Sequence, residues 1–174
     1  MTTRKHGTAL PVAAGVLTAT VALYIALVAF GNITDFDTNR EFVRHVLAMD
    51  TTFKDKDLMW RAITSHSAQD AAYMAIIAWE SVAAVALLAG TGLWLMALRR
   101  GTVARARRVT TLGLLMVLAL FGAGFLAIGG EWFAMWQSKD WNGLDAATRN
   151  FTVAALVLVV IHLPGAEGRR ADGE

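Results

Sequence analysis

Residues 10–30 read LPVAAGVLTATVALYIALVAF and contain no charged side chain. Because an α-helix rises about 1.5 Å per residue, this stretch is long enough to cross a hydrocarbon layer about 30 Å thick. It therefore predicts a transmembrane helix. The alternative is a cleaved secretory signal, since Arg4 and Lys5 precede it. The run is longer than the usual signal core of about 7–15 residues, so we expect the helix to remain in the protein.

Three further apolar runs follow, at residues 71–98, 109–136 and 146–163. The first two of these exceed the thickness of a bilayer, which predicts tilted or protruding helices. The last run reaches a spanning length only when it includes Arg149, whose side chain we expect to extend to an interface. The sequence thus predicts an all-α fold, a four-transmembrane-helix bundle built as a single membrane domain over residues 1–174.

The composition agrees with that class. Hydrophobic residues make up 56% of the chain, above the roughly 45–50% that is usual for soluble domains. The absence of cysteine excludes disulfides, thiolate metal sites and cysteine nucleophiles. Phosphate-binding loops, zinc-protease motifs and nucleophile elbows are also absent from the sequence. The sequence does not indicate a cofactor. Because these catalytic motifs are absent, we consider an enzyme less favoured than a non-enzymatic protein.

Most basic residues fall on one side of the four-span topology. They are Arg4, Lys5, Arg99, Arg100, Arg105, Arg107, Arg108, Arg169 and Arg170. By the positive-inside rule this side is the cytoplasm, so both termini are predicted to be cytoplasmic. The outer loops, residues 31–70 and 137–145, are slightly acidic as a group. Because no basic stripe is interleaved with exposed aromatic residues, we do not expect a nucleic-acid partner.

The first outer loop contains a helical pattern. Phe42, Val43, Val46 and Leu47 recur at helical spacing, opposite charged residues such as Arg44. Such a pattern predicts a short amphipathic helix that lies on the membrane or caps the bundle.

Several short strings are more specific than hydrophobicity requires. They are FGNITD from Phe30, FVRHVLAMDTTF from Phe42, MWRAITS from Met59, IIAWE ending at Glu80, GGEWFAMWQS from Gly129 and WNG at Trp141. Together they resemble the bacterial family of predicted small integral membrane proteins called domain of unknown function 2165. The resemblance covers nearly the whole chain and implies a multi-pass protein of the bacterial cytoplasmic (inner) membrane. It implies no activity and no site residues.

Glu80 is the most informative single residue, because it lies about ten residues inside the second apolar run. A carboxylate in hydrocarbon costs of order 2–3 kcal/mol and needs compensation. It could form a proton or cation site, alone or with Glu131 near the outer end of the third run. The alternatives are a structural ion pair with Arg61 or Arg149, or a protonated carboxyl that is hydrogen-bonded across helices.

A second group of polar residues lies in the first outer loop. Glu41, His45 and Met49 are four residues apart, so they share one face of the predicted amphipathic helix. Imidazole, thioether and carboxylate ligands could hold a soft or borderline metal. The less specific interpretation is a histidine paired with Glu41 while Met49 packs onto the bundle.

The leading functional hypothesis is a non-enzymatic accessory or scaffold subunit. Its partners would be membrane lipid, another membrane protein or a second copy of the chain, bound through outer loops that are rich in large apolar residues. The alternative is a small proton-handling, ion-handling or redox-linked protein with a carboxylate site in its outer half.

Overall fold

The computed structural model describes residues 9–100 and 103–163, which contain helices and no strand. The α-helices are α1 (Ala9–Thr34), α2 (Phe36–Ala48), α3 (His66–Arg100), α4 (Ala104–Leu118) and α5 (Leu144–His162). Two 3-10 turns cover Met59–Arg61 and Met135–Gln137. Four helices of the described chain are long and apolar enough to cross a membrane: α1, α3, α4 with its continuation to Trp132, and α5. This confirms the predicted four-span fold. The predicted cytoplasmic termini, with Arg4, Lys5, Arg169 and Arg170, lie outside the described residues.

The four spans form a closed ring in which α3 packs on α1 and α4, and α5 lies between α4 and α1. Small residues bring α3 and α4 together: Gly90 lies against Thr110, and Gly113 lies against Leu87. Trp94, which is buried, donates a 3.0 Å hydrogen bond from Nε1 to the Thr110 hydroxyl. Close backbone approach and buried polar bonds between spans are typical of membrane helix packing.

The outward-facing surfaces of the spans are apolar. Exposed large side chains include Val16, Leu23, Leu27, Val82, Val85, Leu88, Leu95, Leu112, Leu156 and Val159. They lie on all four spans, so the apolar surface surrounds the bundle. In water such a surface would drive aggregation, whereas in a bilayer it contacts lipid chains.

The third span changes its winding at Ala119. From Ala119 to Trp132 it is a π-helix, which we call the π segment. At its end the Phe133 amide donates to the carbonyl of Ile128, five residues earlier, at 3.0 Å. The helix stops four residues before the predicted boundary at residue 136, because Ala134 adopts a left-handed conformation with φ of 51°. Long stretches of π-helix are rare, and π-helical turns occur frequently at functional sites.

The two ends of the bundle differ. At one end, called the α2 end here, α1 leads into α2, and α3 and α5 begin. The amphipathic α2 packs its apolar side on α3, where Val43 contacts Tyr73 and Ile77. The opposite end carries the arginines that close α3 and open α4, including Arg99 and Arg105.

Candidate functional site

Glu80 lies inside the bundle on α3, with only 3% of its surface exposed. Its Oε2 accepts a 2.6 Å hydrogen bond from the side-chain amide of Asn32, which lies near the end of α1. The backbone carbonyl of Asn32 accepts a 3.0 Å hydrogen bond from the Tyr73 hydroxyl. Tyr73 and Glu80 are about two turns apart on α3. These bonds fix the end of α1 to α3 beside the carboxyl group.

A cavity of about 240 Å³, which we call the polar chamber, lies next to Glu80. Its polar lining comes from α1, α2, α3 and α5: Tyr24, Asn32, Asn39, Tyr73, Glu80 and Asn150. Within the described residues, Glu80 is the only charged group in this lining. Asn150 is 8% exposed and also lines the chamber. The polar chamber therefore contains a carboxyl group together with three side-chain amides that can donate and accept hydrogen bonds.

A second cavity of about 310 Å³, the apolar chamber, lies between α2, α3 and the π segment. Among the described residues, its lining contains no charged or amide side chain and includes Leu47, Ile76, Gly124 and Ile128. Ile128 is 52% exposed, so the chamber reaches the lipid-facing surface beside the π segment.

The two chambers are neighbours. Phe42, Val43, Ile76 and Phe125 line both of them, so the two spaces meet at these four side chains. The rings of Phe42 and Phe125 stack with centroids 6.5 Å apart. One side of α2 therefore covers an apolar space and an adjoining polar space.

An ion pair fastens α2 to the start of α3. Arg44 donates to both carboxylate oxygens of Asp70, at 3.0 and 3.1 Å, and to Glu41 at 2.9 Å. The hydrogen bond with Asp70 raises the pKa of the Arg44 guanidinium, so this side chain stays charged. Nearby, the Phe36 ring lies 4.8 Å from that of Tyr73.

Aromatic stacking holds α2 to the segment before α5. The His45 ring stacks on Trp141 with centroids 4.4 Å apart, and Phe42 lies 6.2 Å from the same indole. His45 Nδ1 also lies 2.8 Å from the Asp50 carboxylate. Together with the Arg44 bridge, these contacts attach α2 to the start of α3 and to the segment before α5.

Neither Glu131 nor Arg149 lines the polar chamber with Glu80. Glu131 is exposed at the end of the π segment and lines neither chamber. Arg149 is exposed and lines a groove of about 240 Å³ between α1 and α5, next to Asn150. In the described chain neither residue forms an ion pair with Glu80, whose observed partner is the amide of Asn32.

Arg61 lies at the α2 end between two indole rings. Its guanidinium carbon is 4.8 Å from the centre of the Trp132 ring and 5.7 Å from that of Trp60. One of its terminal nitrogens also donates to the Trp132 carbonyl at 3.4 Å. Cation–π contacts and this carbonyl, rather than Glu80, are therefore its partners.

Of the three possible metal ligands, Glu41 and His45 lie on α2, whereas Met49 follows its end in a left-handed conformation, and the three have different partners. Glu41 bonds to Arg44, His45 bonds to Asp50, and Met49 is buried with Phe133 and Ala134. No group of three or more His, Asp or Glu side chains placed to hold a metal occurs in the described residues.

Sequence reasoning did not identify Asn32, Asn39, Tyr73 and Asn150 as parts of a site. A signal was present for two of them, because Asn32 and Asn150 are amides next to or within apolar runs. Buried amides in a membrane bundle need a hydrogen-bond partner on another helix.

The fold and this internal site define a class: an integral membrane protein with four helical spans and lidded internal cavities. The chain belongs to the family of predicted small integral membrane proteins (DUF2165), whose model matches residues 10–164. Comparison with curated proteins gave no match, and neither did comparison with solved structures.

Proposed function

We propose that this protein is a non-enzymatic membrane protein that binds a lipid-like amphiphile beneath α2. The apolar part of the ligand occupies the apolar chamber, and its polar group enters the polar chamber next to Glu80. The single observation that carries the proposal is the adjacency of the two chambers, which share Phe42, Val43, Ile76 and Phe125.

The dimensions and lining of the chambers support this proposal. Volumes of about 310 and 240 Å³ lie around the lower end of the range for ligand sites, about 300–1,000 Å³. Ligand sites are mostly apolar, with a few polar groups that converge on one place, and here Asn32, Glu80 and Asn150 converge on the polar chamber.

Lipid fits the geometry better than a protein partner does. The apolar chamber reaches the membrane-facing surface at Ile128, where acyl chains are the surrounding solvent. As an accessory subunit, the protein would hold a lipid or present it to a second membrane protein.

The arginine distribution supports a location in the bacterial cytoplasmic membrane with the α2 end outside. Arg99, Arg105, Arg107 and Arg108 all lie at the end opposite α2, as the positive-inside rule expects for the cytoplasmic side. The ligand would then come from the outer leaflet.

A cavity-filling variant tests the proposal. Gly124 lines the apolar chamber, and a β-carbon added there meets the nearest atom, Leu120 Cδ1, at 3.7 Å, an ordinary contact. In nanodiscs, octanol should bind the wild type, and Gly124→Leu should weaken that binding about tenfold or more. Gly92→Leu is the matched control, because no atom lies within 4 Å of a β-carbon there. Equal octanol binding by all three proteins would reject the proposal.

The burial of Glu80 favours a second candidate function, proton or cation handling in the α2 half of the bundle. In proteoliposomes, Glu80→Gln would then change ion flux while the yield of folded protein stays the same. An unchanged flux with normal folding would reject this candidate.

A further inference from the structure

We infer that the polar chamber recognises a cationic amine, so that the amphiphile bound by this protein carries an ammonium head group. This inference rests on the proposed function and names the chemical class of its ligand.

The charge of the chamber lining points to a cation. Glu80 is the only charged side chain that lines it within the described residues. Among the described residues, the hydrogen bond from Asn32 reaches Glu80 Oε2, and Glu80 Oε1 has no partner. A buried carboxylate with one amide donor is stabilised when a cationic donor approaches its second oxygen.

The remaining polar groups suit an ammonium ion as well. Asn39 and Asn150 line the chamber from α2 and α5, and their amide oxygens can accept hydrogen bonds. An ammonium group has several N–H donors and no acceptor, as in lysine. A carboxylate and two amide oxygens around one small space match that donor pattern.

The neighbouring arginine side chains contact groups outside the polar chamber. Arg44 is bound to Asp70 and Glu41, and Arg40 lies 2.9 Å from Asp37. Arg149 lines the groove between α1 and α5 and does not line the polar chamber. No described arginine or lysine is therefore placed in the chamber to receive an anionic head group.

Three ligands of one chain length test the inference: octylamine, octanol and octanoate, titrated into the protein in nanodiscs. Octylamine is protonated at neutral pH, since alkylammonium groups such as that of lysine have a pKa of about 10.4. A charge-assisted hydrogen bond to Glu80 should make octylamine bind about tenfold or more tightly than octanol, with octanoate the weakest.

Glu80→Gln keeps the side-chain shape and removes the negative charge, so it should abolish the preference for octylamine while octanol binds as before. Glu131→Gln is the matched control, because it removes a carboxylate that lines neither chamber. This control should keep the full preference. Loss of the preference in Glu131→Gln, or its survival in Glu80→Gln, would overturn the inference.

A second variant keeps the test decisive if Glu80→Gln does not fold. Asn39→Asp adds a carboxylate to the chamber from α2, outside the spans, and should strengthen octylamine binding relative to octanol. Equal binding of octylamine and octanol to the wild type, with both weakened by Gly124→Leu, would overturn the amine inference and leave the proposed function standing. Failure of all three ligands to bind would reject both.

Discussion

The side-chain amide of Asn32 donates a 2.6 Å hydrogen bond to the buried carboxyl group of Glu80 and thereby joins the end of α1 to the middle of α3. Both residues line the polar chamber. The bond therefore serves packing and also determines how much of the carboxyl group is left for a ligand.

Asn32 and Glu80 should be energetically coupled. A double-mutant cycle with Asn32→Ala and Glu80→Ala should give a coupling energy of about 1.5–3 kcal/mol, the range for a hydrogen bond to a charged group. The measurement is the free energy of unfolding in detergent for the wild type, the two single variants and the double variant. Simple additivity of the two changes would show that the bond contributes nothing to stability.

Arg44 should control how firmly α2 covers the chambers. Arg44→Gln removes the bidentate bridge to Asp70, so the amides of α2 should exchange hydrogen faster than in the wild type. Arg40→Gln is the control, because the ion pairs and the cation–π contact of Arg40 are with Asp37, Glu41 and Phe36 of α2 itself, and it acts on Asp70 only through its charge. If the amides of α2 exchange hydrogen at the same rate in both variants, the bridge to Asp70 does not hold α2 over the chambers.

The contact between α3 and α4 should not tolerate a side chain at Gly113. A β-carbon there would lie 2.7 Å from Leu87 Cγ, so Gly113→Val should destabilise the protein by about 1–3 kcal/mol or prevent assembly of the bundle. Gly92→Val should have little effect, because the space around Gly92 is open. Thermal unfolding of the purified variants measures both, and equal melting temperatures would contradict the observed packing.

Metal content should not depend on His45. His45 pairs with Asp50 and stacks on Trp141, while Met49 is buried away from it. Elemental analysis of the purified wild type and His45→Ala should therefore give the same bound copper and zinc. A metal that is present in the wild type and lost in the variant would restore a metal site on α2.

The membrane architecture could be predicted from the sequence because it depends on run length and on charge placement. The run at residues 10–30 corresponds to α1, which begins at Ala9 and continues to Thr34. The end of the third span was harder to place. It is determined by the left-handed Ala134, and nothing in the apolar pattern of residues 109–136 marks that position.

The candidate site was predictable only in part. Glu80 is prominent in the sequence because a carboxylate inside an apolar run is unusual. Its partner could not be found in the same way, because the choice between Asn32, Arg61 and Arg149 depends on how the helices are rotated about their axes. The chambers depend on the position of α2, which is fixed by tertiary contacts such as Arg44 with Asp70.

Photolabelling of the protein in nanodiscs, with an octylamine that carries a terminal diazirine, tests most directly whether an amphiphile binds beneath α2. After illumination, peptide mapping by mass spectrometry locates the labelled residues. Labels are expected at Leu47, Ile76 and Phe125 in the apolar chamber, and they should be lost in Gly124→Leu. Labels confined to lipid-facing positions such as Leu23, with no change in Gly124→Leu, would contradict binding beneath α2.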